Sequence, residues 1–261
     1  MDLKHQVKKM LIKTPSKRFI EIDLLRGLAI LLMVFGHILW DLDYYGVVPL
    51  DNAVYSVFQK TAPPLFFLLI GMCIIIGIKK KEFQNTYDEN KYYKHLIFRG
   101  LKIFSLGMVL TMITMIFLPE RPIMFGVLHC IGLSIVLCVP FLKYRNYNIL
   151  FSMSFISAGV LLNQFVVENP TIFHLAVGLH QADTWKYTID YFPLLPWFGL
   201  CLLGLVIGDW LYCGDKRIFR MPDLSKYRPA KMFSWLGQHS LGIYLLHQPV
   251  IAGVLIIYGH L

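Results

Sequence analysis

Seven apolar runs divide the chain, near residues 20–40, 57–78, 97–118, 122–142, 148–165, 192–212 and 235–258. A run of ~17–25 apolar residues is what an α-helix needs to cross the hydrocarbon of a bilayer. No other feature narrows the fold as far. A backbone in lipid must satisfy its own hydrogen bonds, and runs this long do so as helices. Composition agrees: 56% of residues are apolar and only 16% charged, against about 25% charged in a soluble domain. The expected fold is an all-α, polytopic transmembrane bundle. Residues 1–18 read as a basic tail and residues 19–261 as one transmembrane domain.

The net charge of +9 raises the question of a nucleic-acid partner. Its distribution answers against one. Twenty-one of the 25 Lys and Arg residues fall in the N-terminal tail and in the second, fourth and sixth connections. The alternate connections carry Asp41, Asp43, Asp51, Glu120, Glu168, Asp183 and Asp190 among few cations. Positive charge gathers on the cytoplasmic side of membrane proteins. The N-terminus is therefore expected in the cytoplasm and the C-terminus outside, in a multi-pass protein of the cell membrane. The tail segment 7–13 can lie on an anionic inner surface or remain a disordered basic arm. The first run follows an 18-residue basic tail and lacks a small-residue cleavage site, so it is expected to stay as the first span. The cysteines, Cys73, Cys130, Cys138, Cys201 and Cys213, lie in spans or at the cytoplasmic end of one, so a disulfide framework is not expected. Gly204 and Gly208 form a small-residue face for close helix packing. Such faces and the short bundle allow a homodimer.

Within the first run stand four polar residues: Asp23, Arg26, His37 and Asp41. Ionisable groups inside a span are costly and mark functional sites. Eleven steps of ~100° bring Arg26 and His37 to within ~20° of one face, ~16 Å apart along the axis. Asp23 to Arg26 is i,i+3 and His37 to Asp41 is i,i+4, so each pair can touch. The first pair can anchor an anionic donor, or can be an ion pair snorkelling to the interface. His37 can be a general base or nucleophile oriented by Asp41, or a histidine satisfied by helix packing. His129 and His247 add two intramembrane imidazoles that can line the same cavity as substrate or oxyanion groups, or hydrogen-bond between helices. Three histidines on three helices, with no i,i+4 pair and no neighbouring acid at two of them, make a poor zinc site. No metal is expected. Pro63 and Pro64 can kink or unwind the second span.

The stretch Glu21–His37 (EIDLLRGLAILLMVFGH) resembles the opening helix of membrane acyltransferases with an Arg-x10-His signature. Together with Ala62–Met72 (APPLFFLLIGM), Gly126–Leu137 (GVLHCIGLSIVL), Phe192–Gly208 (FPLLPWFGLCLLGLVIG) and Trp235–Val250 (WLGQHSLGIYLLHQPV), it resembles the catalytic domain of the heparan-alpha-glucosaminide N-acetyltransferase family and its short prokaryotic relatives. The resemblance covers most of residues 18–255. It implies a multi-pass enzyme that takes an acyl group, usually acetyl, from acyl-CoA and delivers it to a sugar or glycan across the membrane. On that reading Asp23 and Arg26 serve the acetyl-CoA donor, and His37 with Asp41 serves catalysis. The chain departs from the eukaryotic members in having fewer spans and no histidine in residues 41–56. Heparan specificity is therefore not carried over. Direct transfer and a transient acyl-imidazole use the same residues. A proton-coupled transporter or flippase using the polar stripe as a relay is the alternative, and a non-catalytic partner subunit is a third.

Overall fold

In a computed structural model of the chain, residues 18–49 and 52–258 are described, without the side chains of 52–55, 59 and 185. The basic tail short of Arg18, Asp51 and the Trp185 side chain lie outside them. About three quarters of the chain is helical. The helices are α1 (Ile20–Tyr44), α2 (Asn52–Phe83), α3 (Glu89–Phe117), α4 (Val127–Phe141), α5 (Asn148–Leu162), α6 (Ile172–Val177), α7 (Leu194–Leu211), α8 (Arg228–Gln238) and α9 (Ser240–Ile257). A two-stranded hairpin, β1 (Tyr212–Cys213) with β2 (Lys216–Arg217), follows α7. Its turn uses Gly214 at φ +60°, a conformation open to glycine. The hairpin carries Arg217 back to Glu21, with Nη1 3.0 Å from Oε2.

Six helical stretches among the described residues are long and apolar enough to cross a membrane. The difference from seven runs lies in Val127–Leu162, which counts as one 36-residue stretch. It is not one rod. Tyr144 has non-helical angles (φ −106°, ψ 38°) within the 3-10 turn Leu142–Tyr147. Phe141 and Phe155 have ring centroids 5.9 Å apart, where fourteen residues of straight helix would separate them by ~21 Å. The chain therefore doubles back, and α4 and α5 are two 15-residue limbs. The last run differs too. It breaks at His239, so Trp235–Gln238 belong to α8 and only Ser240–Ile257 forms α9. Of the kink or unwound turn allowed at Pro63–Pro64, the unwound turn is absent: α2 runs helical through both prolines.

Glycine decides which helices meet. The most extensive contacts are α2 with α7, α1 with α8, α5 with α7 and α3 with α4. A Cβ on Gly71 would sit 1.9 Å from the Cys201 carbonyl oxygen, and one on Gly204 would sit 2.1 Å from that of Leu68. The two backbones thus cross in direct contact, in the small-residue manner of membrane helices. The Gly204–Gly208 face expected from sequence is used here, against Leu68, Met72 and Ile75. Gly27 and Gly237 do the same for α1 and α8. Ile74, Ile78, Leu96, Ile135, Phe198 and Leu202 fill the core between α2, α3, α4 and α7.

Candidate functional site

The polar stripe of α1 forms two separate clusters. At the end of the bundle that carries Lys79, Lys80 and Lys81, Arg26 Nη1 donates to Asp23 Oδ1 at 3.2 Å. The i,i+3 spacing thus produces the contact it permits. Two partners were not legible in the spacing. Gln238 Nε2 on α8 donates to the other Asp23 oxygen at 3.2 Å. Arg26 Nη2 donates to the Cys73 sulfur on α2 at 2.9 Å. The guanidinium is therefore fixed between three helices, with donors left for an anion.

Toward the far end, His37 meets α9. Its ring centroid lies 4.8 Å from that of His247. The Gln248 amide, from α9, lies 2.9 Å from His37 Nδ1. Gln248 thus takes the His37 nitrogen that helical spacing left open to Asp41. An amide nitrogen donates, so His37 Nδ1 accepts and its neutral ring carries the proton on Nε2. His247 is the opposite tautomer. Its Nδ1–H donates to the Tyr244 carbonyl oxygen, which leaves a bare lone pair on Nε2. That nitrogen is buried without a hydrogen-bond partner, as is Asp41 Oδ2. Asp41 is 6% and His247 9% exposed. Leaving such groups unpaired costs ~1–3 kcal/mol each, so two orphaned acceptors beside one N–H donor are a place for a ligand rich in donors.

His129 is not in this contact. Its Nδ1 accepts from the Gly126 backbone N–H at 3.2 Å. Its Nε2 lies 3.4 Å from Thr111 Oγ1, whose hydroxyl donates to Ile123 O at 2.7 Å. Both nitrogens are engaged in joining α3 to the start of α4, and Phe104 and Phe125 pack on the ring. Among the described residues no group of three His, Cys, Asp or Glu side chains comes together to hold a metal.

Asp190 is a further residue that sequence reading left among the loop acids. Its Oδ2 accepts from the Val127 N–H at 3.0 Å, at the start of α4, and from the Tyr244 hydroxyl at 3.4 Å. It ties the 163–193 connection to α9 beside His247. Burial pushes its carboxyl up to about 6, against the pull of those two bonds. The folded state therefore keeps this proton to higher pH than the unfolded chain, and stability falls as pH rises from about 4 to 6. Asp190→Asn keeps an acceptor for both donors and does not titrate. Its thermal midpoint relative to wild type should climb by a few °C between pH 4 and pH 7, about what ~1 kcal/mol produces in a chain this size. Differential scanning in detergent at the two pH values measures it; parallel curves would remove Asp190 from the balance.

Gln248 and Tyr244 also escaped the sequence reading. The available signal was a glutamine next to His247 inside an apolar run, a polar group lipid would not tolerate. A family model described as heparan-alpha-glucosaminide N-acetyltransferase, catalytic, matches residues 18–249. No curated protein and no solved structure matches the chain.

Proposed function

The chain belongs to the heparan-alpha-glucosaminide N-acetyltransferase catalytic family, a family of membrane acetyltransferases, and from that premise we propose that it moves an acetyl group from cytoplasmic acetyl-CoA to the amine of a sugar on the other side. The observation that carries this reading is the pair of orphaned acceptors, His247 Nε2 and Asp41 Oδ2, set beside His37. An amine arriving as ammonium supplies donors to both. A hydroxyl has only one to give.

The chemistry follows from the tautomers. The Asp41 carboxylate holds the cation, and His247 Nε2 takes a proton from it as general base. The freed amine nitrogen attacks the thioester carbonyl carbon. Charge develops on the carbonyl oxygen, where the His37 Nε2–H donates to it. The C–S bond breaks, the CoA sulfur leaves as thiolate, and the proton gathered by His247 returns to that sulfur. The attacking nitrogen gives up its second proton to the Asp41 carboxylate, so ammonium and thioester yield amide, free CoA thiol and one released proton. Gln248 fixes the His37 tautomer and so makes it the donor. Asp23 and Arg26 lie ~16 Å away along α1, where Arg26 meets the phosphates of the donor and the pantetheine arm spans the interval. The lysines around Lys79–Lys81 support a cytoplasmic side for that end. The residues of α1 between Arg26 and His37 are apolar, which gives a proton relay no rungs on this helix.

The test is purified protein in liposomes with acetyl-CoA on the basic side and methyl glucosaminide on the other. Expected are stoichiometric free CoA and N-acetylated glycoside, both lost in His247→Ala. Proton-coupled glycoside flux with the thioester intact would replace this reading by a transporter. A stable acetyl adduct on His247 or His37 after acetyl-CoA alone would replace direct transfer by an acyl-imidazole route.

A further inference from the structure

Above His37 on α1, Trp40 and Tyr44 stack with ring centroids 5.0 Å apart and planes 14° from parallel. Tyr45 meets Tyr44 edge-on at 5.1 Å. The Arg121 guanidinium lies 5.8 Å from the Tyr44 ring centre. Aromatic residues often gather at span ends because the lipid interface favours them. Trp40 and Tyr44 do stand at such an end, since α1 closes at Tyr44, but not on the arc that faces lipid. At ~100° per residue, Tyr44 lies ~20° and Trp40 ~60° from His37, and Asp41 ~40° on its other side. The exposed apolar residues of α1, Leu25, Leu28 and Phe35, lie ~120–180° away from His37 by the same rule. Lipid takes that opposite arc. The stack shares the arc of the two groups that await a ligand, and Tyr44 remains 55% exposed.

We infer that Trp40 and Tyr44 form the platform on which the acceptor's pyranose ring is seated, one to two turns above His37. This rests on the acyl-transfer reading and adds the residues that seat its sugar acceptor. The faces of an aromatic ring are electron-rich and attract positively polarised edges. The C–H face of a pyranose offers these, while its hydroxyl rim stays outward. Asp43 on the same turn and Arg121 across Tyr44 are the polar side chains nearest that rim. A sugar lying on Trp40 stands level with Asp41, so an amine on the ring reaches Asp41 Oδ2 and His247 Nε2 without leaving the platform.

The experiment compares two acceptors, methyl glucosaminide and the acyclic amine ethanolamine, in wild type, Trp40→Ala, Tyr44→Ala and Trp40→Phe. The expected result is a loss of about tenfold in the kcat/KM preference for the glycoside over ethanolamine in each alanine variant, carried by KM, and recovery in Trp40→Phe. Equilibrium binding of methyl glucosaminide, measured without acetyl-CoA, should weaken in parallel. If either alanine variant fails to fold, Trp40→Leu and Tyr44→Leu keep the bulk and remove the ring. An unchanged preference and unchanged binding in the folded variants overturn the platform while the acyl-transfer reading stands. Trp40-dependent glycoside binding without any transfer does the reverse.

Discussion

Replacing His247 with alanine is expected to lower kcat/KM for acetyl transfer by ~10²–10⁴-fold, the range of a lost general base. The size follows from the environment of Nε2. It is the one imidazole nitrogen in the His37–His247 contact with a free lone pair, because the Tyr244 carbonyl commits Nδ1 as a donor. His37→Ala should cost ~10²–10³-fold, the range of a lost oxyanion donor. Magnitude alone does not separate the roles, but pH does. Without its base, the His247→Ala enzyme depends on amine that arrives already deprotonated, so its residual rate should climb with pH. The His37→Ala enzyme keeps its base and should keep the wild-type profile at a lower level. Free CoA release with methyl glucosaminide, followed across pH, reads both. A pH climb in His37→Ala and not in His247→Ala would exchange the two assignments. Gln248→Leu supplies a check on the His37 tautomer. It removes the donor to His37 Nδ1, frees the tautomer, and should slow transfer through kcat.

The second large effect is structural. Gly27→Ala places a Cβ 1.9 Å from the Phe233 carbonyl oxygen, and Gly237→Ala places one 1.9 Å from that of Asp23. Backbone stands on both sides of this crossing, so no side chain can rotate away. Overpacking costs ~1–3 kcal/mol where the surroundings can yield. Here α1 and α8 must separate, which also draws Gln238 from Asp23. Each variant should lose roughly 5–10 °C in thermal midpoint in detergent and much of its monodisperse yield. Gly242→Ala on α9 is the control. Nothing lies within 4 Å of its Cβ, and alanine is the better helix former by ~1 kcal/mol. Its midpoint should not fall. Equal losses at all three positions would mean that the close crossing of α1 and α8 does not set the outcome.

Much of the site could be read along a single helix. The period of 3.6 residues put Asp23, Arg26, His37 and Asp41 on one arc, and the structure keeps them there. What spacing along α1 could not supply was the partner helices. Gln248 reaches His37 Nδ1 from α9, more than two hundred positions away in sequence. Cys73 enters beside Arg26 from α2. His129 illustrates the converse. As an intramembrane histidine it looked like a lining group, and its ring is spent on the Gly126 N–H and Thr111. An apolar run gives no sign of whether a polar side chain in it faces a cavity or a backbone donor. The doubling-back at Tyr144 was legible as two runs, and the break at His239 was not, because apolar residues continue on both sides of it.

The sequence by itself determined that the chain is a helical membrane bundle, which ends carry positive charge, and which residues of α1 share a face. These follow from run length, charge placement and helical period, all local properties that no tertiary contact can reverse. The tertiary structure decided which imidazole is bare, which is a donor, and which residue of α9 meets His37. Those depend on glycine contacts that set how helices cross, and on hydrogen bonds between groups far apart in the chain. A histidine's tautomer belongs to its partner, and a partner on another helix is fixed only when the bundle is packed.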